Sequence, residues 1–276
     1  MNTLFFWTEI RNNNIIRSVC IPILRIKRKR DFKKYQSSED YKYIKTLKNI
    51  CNGERCFIIG NGPSLTREDL DLLVSEKTFA FNRIYQMYPY IDWRPTYYMA
   101  MDGSILQKLR QEKKSAFEAE YLFLADRKLV KRYKKQNAFQ VIKQGNTAVR
   151  RERNMLTNVY EDVYNHFSPA QSVTINALEF AFYMGFKEIY LLGLDHSFAV
   201  EVDINGKKHI NKDVQNHFKE DNDKAPYANH KEALTKEYEI CKKYADEHGI
   251  KVVNVTRGGK LEVFERDTLE NVLKQC

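Results

Sequence analysis

Four short strings carry residue types suited to holding a nucleotide and moving a group from it. The first, Gly60-Asn61-Gly62-Pro63-Ser64-Leu65, follows the apolar run Arg55–Ile59. Gly60 and Gly62 allow close backbone approach, and the helix start after Thr66 offers N–H groups and a positive dipole end to a phosphate. The string lacks both the Gly-Lys-Ser/Thr of a Walker A loop and the third glycine of a dinucleotide fingerprint. A purely structural strand–helix turn is the competing reading. Asn82, after the run Thr78–Phe81, offers a donor and an acceptor to a base or sugar. Asp102, after Thr96–Met101, can bond a ribose or hold a cation; capping the next helix is the plainer role for either residue. Gly193-Leu194-Asp195-His196 ends another apolar run, its two polar groups either facing a site or finishing the turn.

Proton transfer calls for a different kind of residue. His230 opens a long helical pattern three residues after Tyr227, so both can face one way on a first turn. A histidine titrating near neutrality can take the proton of an attacking hydroxyl, although a solvated or capping histidine is the ordinary reading. Asp221-Asn222-Asp223 imitates an acidic metal motif but lies in a polar stretch rather than straight after a strand, and reads as a solvated loop. No other histidine or cysteine has metal-ligand spacing, and no Gly-x-Ser-x-Gly elbow is present. No metal site is expected.

Positioning these groups requires several strands that end at one edge. Arg55–Gly60, Thr78–Asn82, Thr96–Met101, Tyr121–Leu124, Phe139–Ile142, Lys187–Asp195 and Lys251–Val255 are short apolar runs, as buried parallel strands are. Thr66-Arg67-Glu68-Asp69 matches a capping box opening a helix over Leu70–Val74. Further helices are expected over Ile105–Phe117, Ala170–Met184 with Gly185 as its C′ residue, Tyr227–Glu247 and Asp267–Lys274. The alternation predicts one α/β domain with a Rossmann-like, doubly wound, mostly parallel sheet. Residues 51–276 would form it, behind a basic amphipathic arm at 1–50. Residues 143–168 read as irregular, and 196–224 as a lid-like excursion with a hairpin turn at Asp203–Gly206.

Charge sharpens this division. The chain of 276 residues carries +10, yet residues 1–34 hold nine basic and two acidic residues. That segment is therefore +7, leaving +3 for the other 242. Neither apolar island within it approaches the roughly 20 uncharged residues of a spanning helix. The charge follows the first island rather than preceding it, unlike a secretory signal. Residues 11–34 alternate aliphatic with basic residues and suit an anionic membrane surface. The alternative is a solvated arm that packs on the domain or on a neighbouring copy in a homo-oligomer. No aromatic-rich motif accompanies the charge, so nucleic acid is not the expected partner. Five scattered cysteines (Cys20, Cys51, Cys56, Cys241, Cys276) read as reduced cytosolic thiols.

Gly60–Leu65, the Asn82 strand end and Gly185–Asp195 together resemble the bacterial family 42 sialyltransferases. They equally resemble the Maf-type flagellin-glycosylation domains with the same Gly-Asn-Gly-Pro-Ser-Leu signature. The resemblance covers roughly residues 54–265 and implies a GT-A-like variant of the Rossmann-like fold. It implies a metal-independent, inverting transfer from a CMP-activated nonulosonic acid, with no cofactor besides the donor. By the same resemblance Asn61, Ser64 and Asn82 contact the nucleotide, Tyr227 contacts its phosphate, and His230 is the catalytic base. Asp102 stands where the family has an asparagine. Ala170-Gln-Ser-Val-Thr174 replaces the family's Arg-x-Thr-Ser-Gly, making Ser172 and Thr174 the matching phosphate or cytosine contacts. Ser197 stands in place of a family tyrosine.

The expected function is thus a sialyltransferase-like glycosyltransferase acting on a glycan or glycolipid acceptor in capsule or lipopolysaccharide biosynthesis. It would be cytoplasmic, resting on the inner membrane through its arm. The leaving phosphate would be stabilised by Tyr227 and the helix start near Ser64. The same signature resembles archaeal pterin diphosphate-forming enzymes, which implies as an alternative a magnesium- and ATP-dependent pyrophosphokinase with Asp102 and Asp195 as cation ligands. A non-catalytic nucleotide-binding module of a glycan-assembly complex is the third reading.

Overall fold

A computed structural model of the chain describes residues 14–112, 118–142, 158–203, 207–211, 213–215 and 230–274. Two helices come first, α1 (Asn14–Gln36) and α2 (Glu39–Thr46). Then follow β1 (Arg55–Ile59), α3 (Arg67–Asp71), β2 (Thr78–Phe81), β3 (Tyr97–Ala100), α4 (Gly103–Gln111) and β4 (Tyr121–Leu124). After α5 (Arg127–Tyr133) and β5 (Ala138–Gln140) come α6 (Val173–Met184), β6 (Glu188–Leu192) and a hairpin of β7 (Val200–Val202) and β8 (Lys208–Ile210). The chain closes with α7 (Lys231–Glu247), β9 (Lys251–Asn254), β10 (Glu265–Arg266) and α8 (Leu269–Lys274).

The strands are continuous apolar runs because both faces of the sheet are covered. Cys56 and Ile58 of β1, with Phe79, Met99, Phe123, Ile189 and Leu191, pack under Ile44 of α2, the apolar residues of α6, and Leu234, Tyr238 and Cys241 of α7. The alternate residues Phe57, Ile59, Ala80, Tyr98, Leu122 and Leu192 face Leu70 of α3, Leu106 and Leu109 of α4, Leu129 of α5 and Leu269 of α8. Helices on both faces make the sheet doubly wound, as the alternation of elements implies. Cys51, Cys56 and Cys241 are buried free thiols within this packing.

The eight strands lie in the order β10-β9-β6-β1-β2-β3-β4-β5, each neighbouring pair parallel. The chain builds outward from β1 to β5, then returns to add β6, β9 and β10 on the other side. The winding therefore reverses between β1 and β6, the place where open α/β sheets bind ligands at their carboxyl ends.

The packed body begins earlier than residue 51. Ile44 and Leu47 are buried, and Asn49 N–H donates to Tyr183 O at 3.0 Å. The Tyr183 hydroxyl donates to Ile44 O and Lys45 O. Helix α2 is thus part of the body rather than of the arm, because Ile44 joins the core, Tyr43 stacks on Phe139 of β5 and Tyr183 of α6 bonds its carbonyls. Helix α1 runs on through Pro22. Gly185 takes the expected left-handed C′ conformation at φ +88°. Helix α3 lies three residues earlier than Leu70–Val74, and α4 ends at Gln111. In the excursion, Asp203 N–H donates to Lys207 O at 3.0 Å, closing the hairpin; Gly206 lies outside the described residues. No helix among the described residues is long and apolar enough to cross a membrane.

Candidate functional site

The loops after β1 and β6 touch across the winding reversal. Gly60 N–H donates to Leu192 O at 2.7 Å and Gly62 N–H to Gly193 O at 3.0 Å. The Ser64 hydroxyl donates to Asp195 Oδ2 at 2.7 Å. A Cβ on Gly60 would lie 2.2 Å from Gly193 O, and one on Gly62 would lie 1.7 Å from Asp195 Oδ2. The glycines are needed here for the close approach of the β6 loop. Gly193 itself is left-handed at φ +68°.

The start of α3, the expected phosphate seat, is capped from within the chain. That helix has five residues, and its first turn is already capped: Thr66 Oγ1 accepts from Asp69 N–H, and Asp69 Oδ2 accepts from Thr66 N–H. Buried Asp69 further pairs with Arg257. The capping box is the one expected, and it occupies the N–H groups of Thr66 and Asp69.

On the other side of β1, Asn61 Nδ2 donates to Phe81 O at 3.1 Å, tying the β1 loop to the end of β2. This bond turns Asn61 Oδ1 away from Phe81, and that oxygen is buried without a partner among the described residues. Asn82 follows at φ +55°, a left-handed conformation that asparagine tolerates better than most residues. Its main-chain oxygen accepts from the Tyr98 hydroxyl, while its Oδ1 is likewise buried and unpartnered. Adjacent strand ends thus present two carbonyl oxygens that still require donors.

Asp102 lies one strand further out. Its Oδ1 accepts from Ser104 N–H at 2.8 Å, Ile105 N–H at 3.2 Å and the Ser104 hydroxyl, so it caps α4. Ser172 caps α6 in the same manner, accepting from Thr174 N–H and donating to Thr174 Oγ1 at 3.1 Å. Thr174 is buried at 3% exposure and hydrogen-bonds Tyr238 of α7. The Ser172 hydroxyl thus caps α6, and the Thr174 hydroxyl links α6 to α7.

His230 is the N-cap residue of α7 rather than a member of its first turn. It is half-buried, its side chain makes no capping hydrogen bond, and its carbonyl accepts from Leu234 N–H at 3.0 Å. Tyr227 and the Asp221–Asp223 string lie outside the described residues. The start of α7 is tied to the β6 loop by His196, whose Nε2 lies 2.8 Å from Thr235 Oγ1. Thr235 in turn donates to Lys231 O at 3.0 Å. His196 is 7% exposed, left-handed at φ +50°, and flanked edge-on by Phe198 and Tyr238. Burial, with Lys231 adding, pushes its pKa down to about 4, so the ring is neutral near pH 7.

Hydrogen bonds therefore run from the end of β2 through Asn61 to the β1 loop, from Ser64 to Asp195, and from His196 into α7 at His230's doorstep. Two buried carboxylates that the sequence reading passed over hold the approach to α6. Glu179 accepts from the Ser168 hydroxyl at 2.8 Å, Asn176 Nδ2 at 3.1 Å and Tyr160 N–H at 3.3 Å, and burial raises its pKa. Glu237 accepts from Gln171 N–H at 2.9 Å. For Glu179, a glutamate inside an otherwise apolar helical run was the available signal; the charged helix around Glu237 offers none. Among the described residues no group of three or more His, Cys, Asp or Glu side chains is disposed to hold a metal ion.

The model of the family described as 6-hydroxymethylpterin diphosphokinase MptE-like matches residues 30–201, well over half of the chain. No curated protein matches it. Among solved structures, the Maf glycosyltransferase of Magnetospirillum magneticum AMB-1 is similar at 14% identity with a TM-score of 0.49, over 84% of this chain. The chain spans only 38% of that protein's length. The sialyltransferase CstII of Campylobacter jejuni, in complex with cytidine-5'-monophosphate, is similar at 19% identity with a TM-score of 0.43 over 78% of this chain and 85% of that one. Its complex with CMP-3FNeuAc gives 19% identity and a TM-score of 0.45 over 77% and 85%.

Proposed function

Because the chain belongs to the 6-hydroxymethylpterin diphosphokinase MptE-like family, whose model spans every loop of the β1–β2–β6 edge, we propose that this edge binds a nucleotide and supports group transfer from it. The reaction is glycosyl transfer from a CMP-activated nonulosonic acid to an acceptor hydroxyl. The observation that carries the reading is the pair of buried, unpartnered oxygens, Asn61 Oδ1 and Asn82 Oδ1, on adjacent strand ends. Two such acceptors suit a ligand with several donors, as the amino group of cytosine and the hydroxyls of ribose provide. The Gly60–Leu65 signature and its likeness to family 42 sialyltransferases support the choice of donor.

In this reaction His230 takes the proton of the acceptor hydroxyl as the oxygen attacks the anomeric carbon from the face opposite the phosphate. The carbon–phosphate oxygen bond breaks with its electron pair going to CMP, and the configuration inverts. Tyr227 is the proposed donor to the leaving phosphate. Asp195, held by Ser64, is suited to accept from a ribose hydroxyl. The reaction needs no bound metal, and the acceptor is a glycan or glycolipid reached from the cytoplasm.

The family description itself favours a second reading, ATP-dependent diphosphate transfer with magnesium on Asp102 and Asp195. Asp102 already caps α4 and Asp195 already accepts from Ser64 of the β1 loop, which gives glycosyl transfer the lead. Turnover of CMP-sialic acid in the presence of EDTA supports the glycosyltransferase. Strict dependence on ATP and magnesium, with no CMP-sugar turnover, would replace it with the diphosphokinase.

A further inference from the structure

The arm and the body jointly make a basic face that the proposed reaction does not use. Along α1, Ile23, Ile26, Lys27, Arg30 and Lys34 fall at i, i+3, i+4, i+7 and i+11, one stripe of a 3.6-residue helix. All five are exposed, Ile23 by 60% and Ile26 by 65%. Tyr35, which points elsewhere around the helix, is 4% exposed and packs edge-on against Tyr41 of α2, anchoring the end of α1 to the body.

Beside Lys34 a groove of about 620 Å³ separates the α1–α2 corner from α5. Lys34 lines it from one side, and Arg127 and Lys131, one turn apart on α5, line it from the other. None of these three makes an ion pair with a described residue. Of the groove's carboxylates, Asp40 pairs with Lys134 at 3.0 Å and Glu39 with Lys42 at 2.9 Å, leaving Asp31. Folding thus brings cations from residue 34 and residues 127–131 to one place and continues them along α1 beside two bare isoleucines.

We infer that this face docks on an anionic bilayer surface, with Ile23 and Ile26 entering the headgroup boundary and the groove seating a lipid phosphate. Aliphatic side chains interleaved with long cationic ones are what an interfacial helix requires, since each cation reaches the phosphate plane from an apolar stem. The stripe carries no aromatic side chain on which a nucleic-acid base could stack, so a membrane fits it better than RNA does. Docking through α1 and α5 would hold the catalytic body at the surface where a glycolipid acceptor lies.

The test is co-sedimentation of the full chain with vesicles of phosphatidylcholine and phosphatidylglycerol in equal parts, against phosphatidylcholine alone. The mixed vesicles should bind the protein, and added salt should weaken that binding. The double variant Arg127→Ala/Lys131→Ala should bind about 25-fold more weakly, at about fivefold per cation. Ile23→Ser/Ile26→Ser should weaken binding at low and high salt alike. The charge-conserving pair Arg127→Lys/Lys131→Arg should bind as the parent does, and all of these exposed substitutions should leave the thermal melt in place. Equal binding to neutral vesicles, full binding by the Arg127→Ala/Lys131→Ala variant, or tighter binding to a single-stranded RNA than to the mixed vesicles would each overturn the inference.

Discussion

Ser64 and Asp195 meet across the reversal of the sheet, the serine hydroxyl donating to Asp195 Oδ2 at 2.7 Å beside a glycine contact that has no room for a Cβ. The two elements of this junction should differ in what they contribute. Gly60→Ala drives a methyl group against the Gly193 carbonyl, a backbone atom that cannot swing aside, and should cost about 3 kcal/mol. Ser64→Ala removes one hydrogen bond in a half-buried place and should cost about 1 kcal/mol. Urea unfolding of the two variants measures both. A Gly60→Ala protein as stable as its parent would mean that the loops do not touch.

Asn61 should act on ligand binding. Its Nδ2 holds the end of β2, and its Oδ1 waits for a donor. Asn61→Ala should weaken CMP binding by about tenfold, the equivalent of one lost hydrogen bond of about 1.4 kcal/mol. Calorimetric titration with CMP reads this directly. An unchanged dissociation constant would remove Asn61 from the nucleotide site.

His230 should act on chemistry. Its side chain makes no capping bond, and its imidazole is the proposed acceptor of the attacking hydroxyl's proton. His230→Ala should lower kcat for CMP-sugar turnover by about 10²- to 10⁴-fold, the usual worth of a general base. Its CMP affinity should remain that of the parent, because His230 is not among the proposed nucleotide contacts. Near-normal turnover in this variant would end the assignment.

The parts of this molecule that were legible in the sequence are those decided locally. β1, β4 and β6 stand out because strands covered on both faces cannot admit polar residues. Thr66 and Asp69 announce their capping box, and Gly185 its left-handed turn, within three or four residues. What escaped the sequence depends on contacts distant along the chain. Gly60 and Gly62 are shaped by Gly193 and Asp195, more than 130 residues away, so their purpose could not be told from a phosphate loop. Helix α5, Arg127–Tyr133, carries four basic residues in seven, and only its packing on β4 and β5 reveals its buried face. Glu179 and Glu237 accept hydrogen bonds from Ser168 and Gln171, and those partners are fixed only once the segment before α6 is folded over them.

His196 gives the last prediction, because its environment and its position act together. The Thr235 hydroxyl proton goes to Lys231 O, so His196 Nε2 must carry a hydrogen to donate to Thr235 Oγ1. That arrangement exists with a neutral ring, and burial keeps the ring neutral by lowering its pKa from 6.5 to about 4. The unfolded chain takes up this proton near pH 6.5, and the folded chain does so only near pH 4. Stability from this group is therefore complete above about pH 6.5 and falls as pH drops toward 4, by at most about 3 kcal/mol. His196→Asn keeps a side chain that accepts the left-handed backbone at φ +50° and removes the titration. Urea unfolding at about pH 7 and about pH 4.5 should show a larger loss in the parent than in this variant. Because Lys231 and Thr235 form the first turn behind His230, the parent's loss should begin with loosening of that turn. Equal losses in the two proteins would show that His196 does not couple the β6 loop to α7.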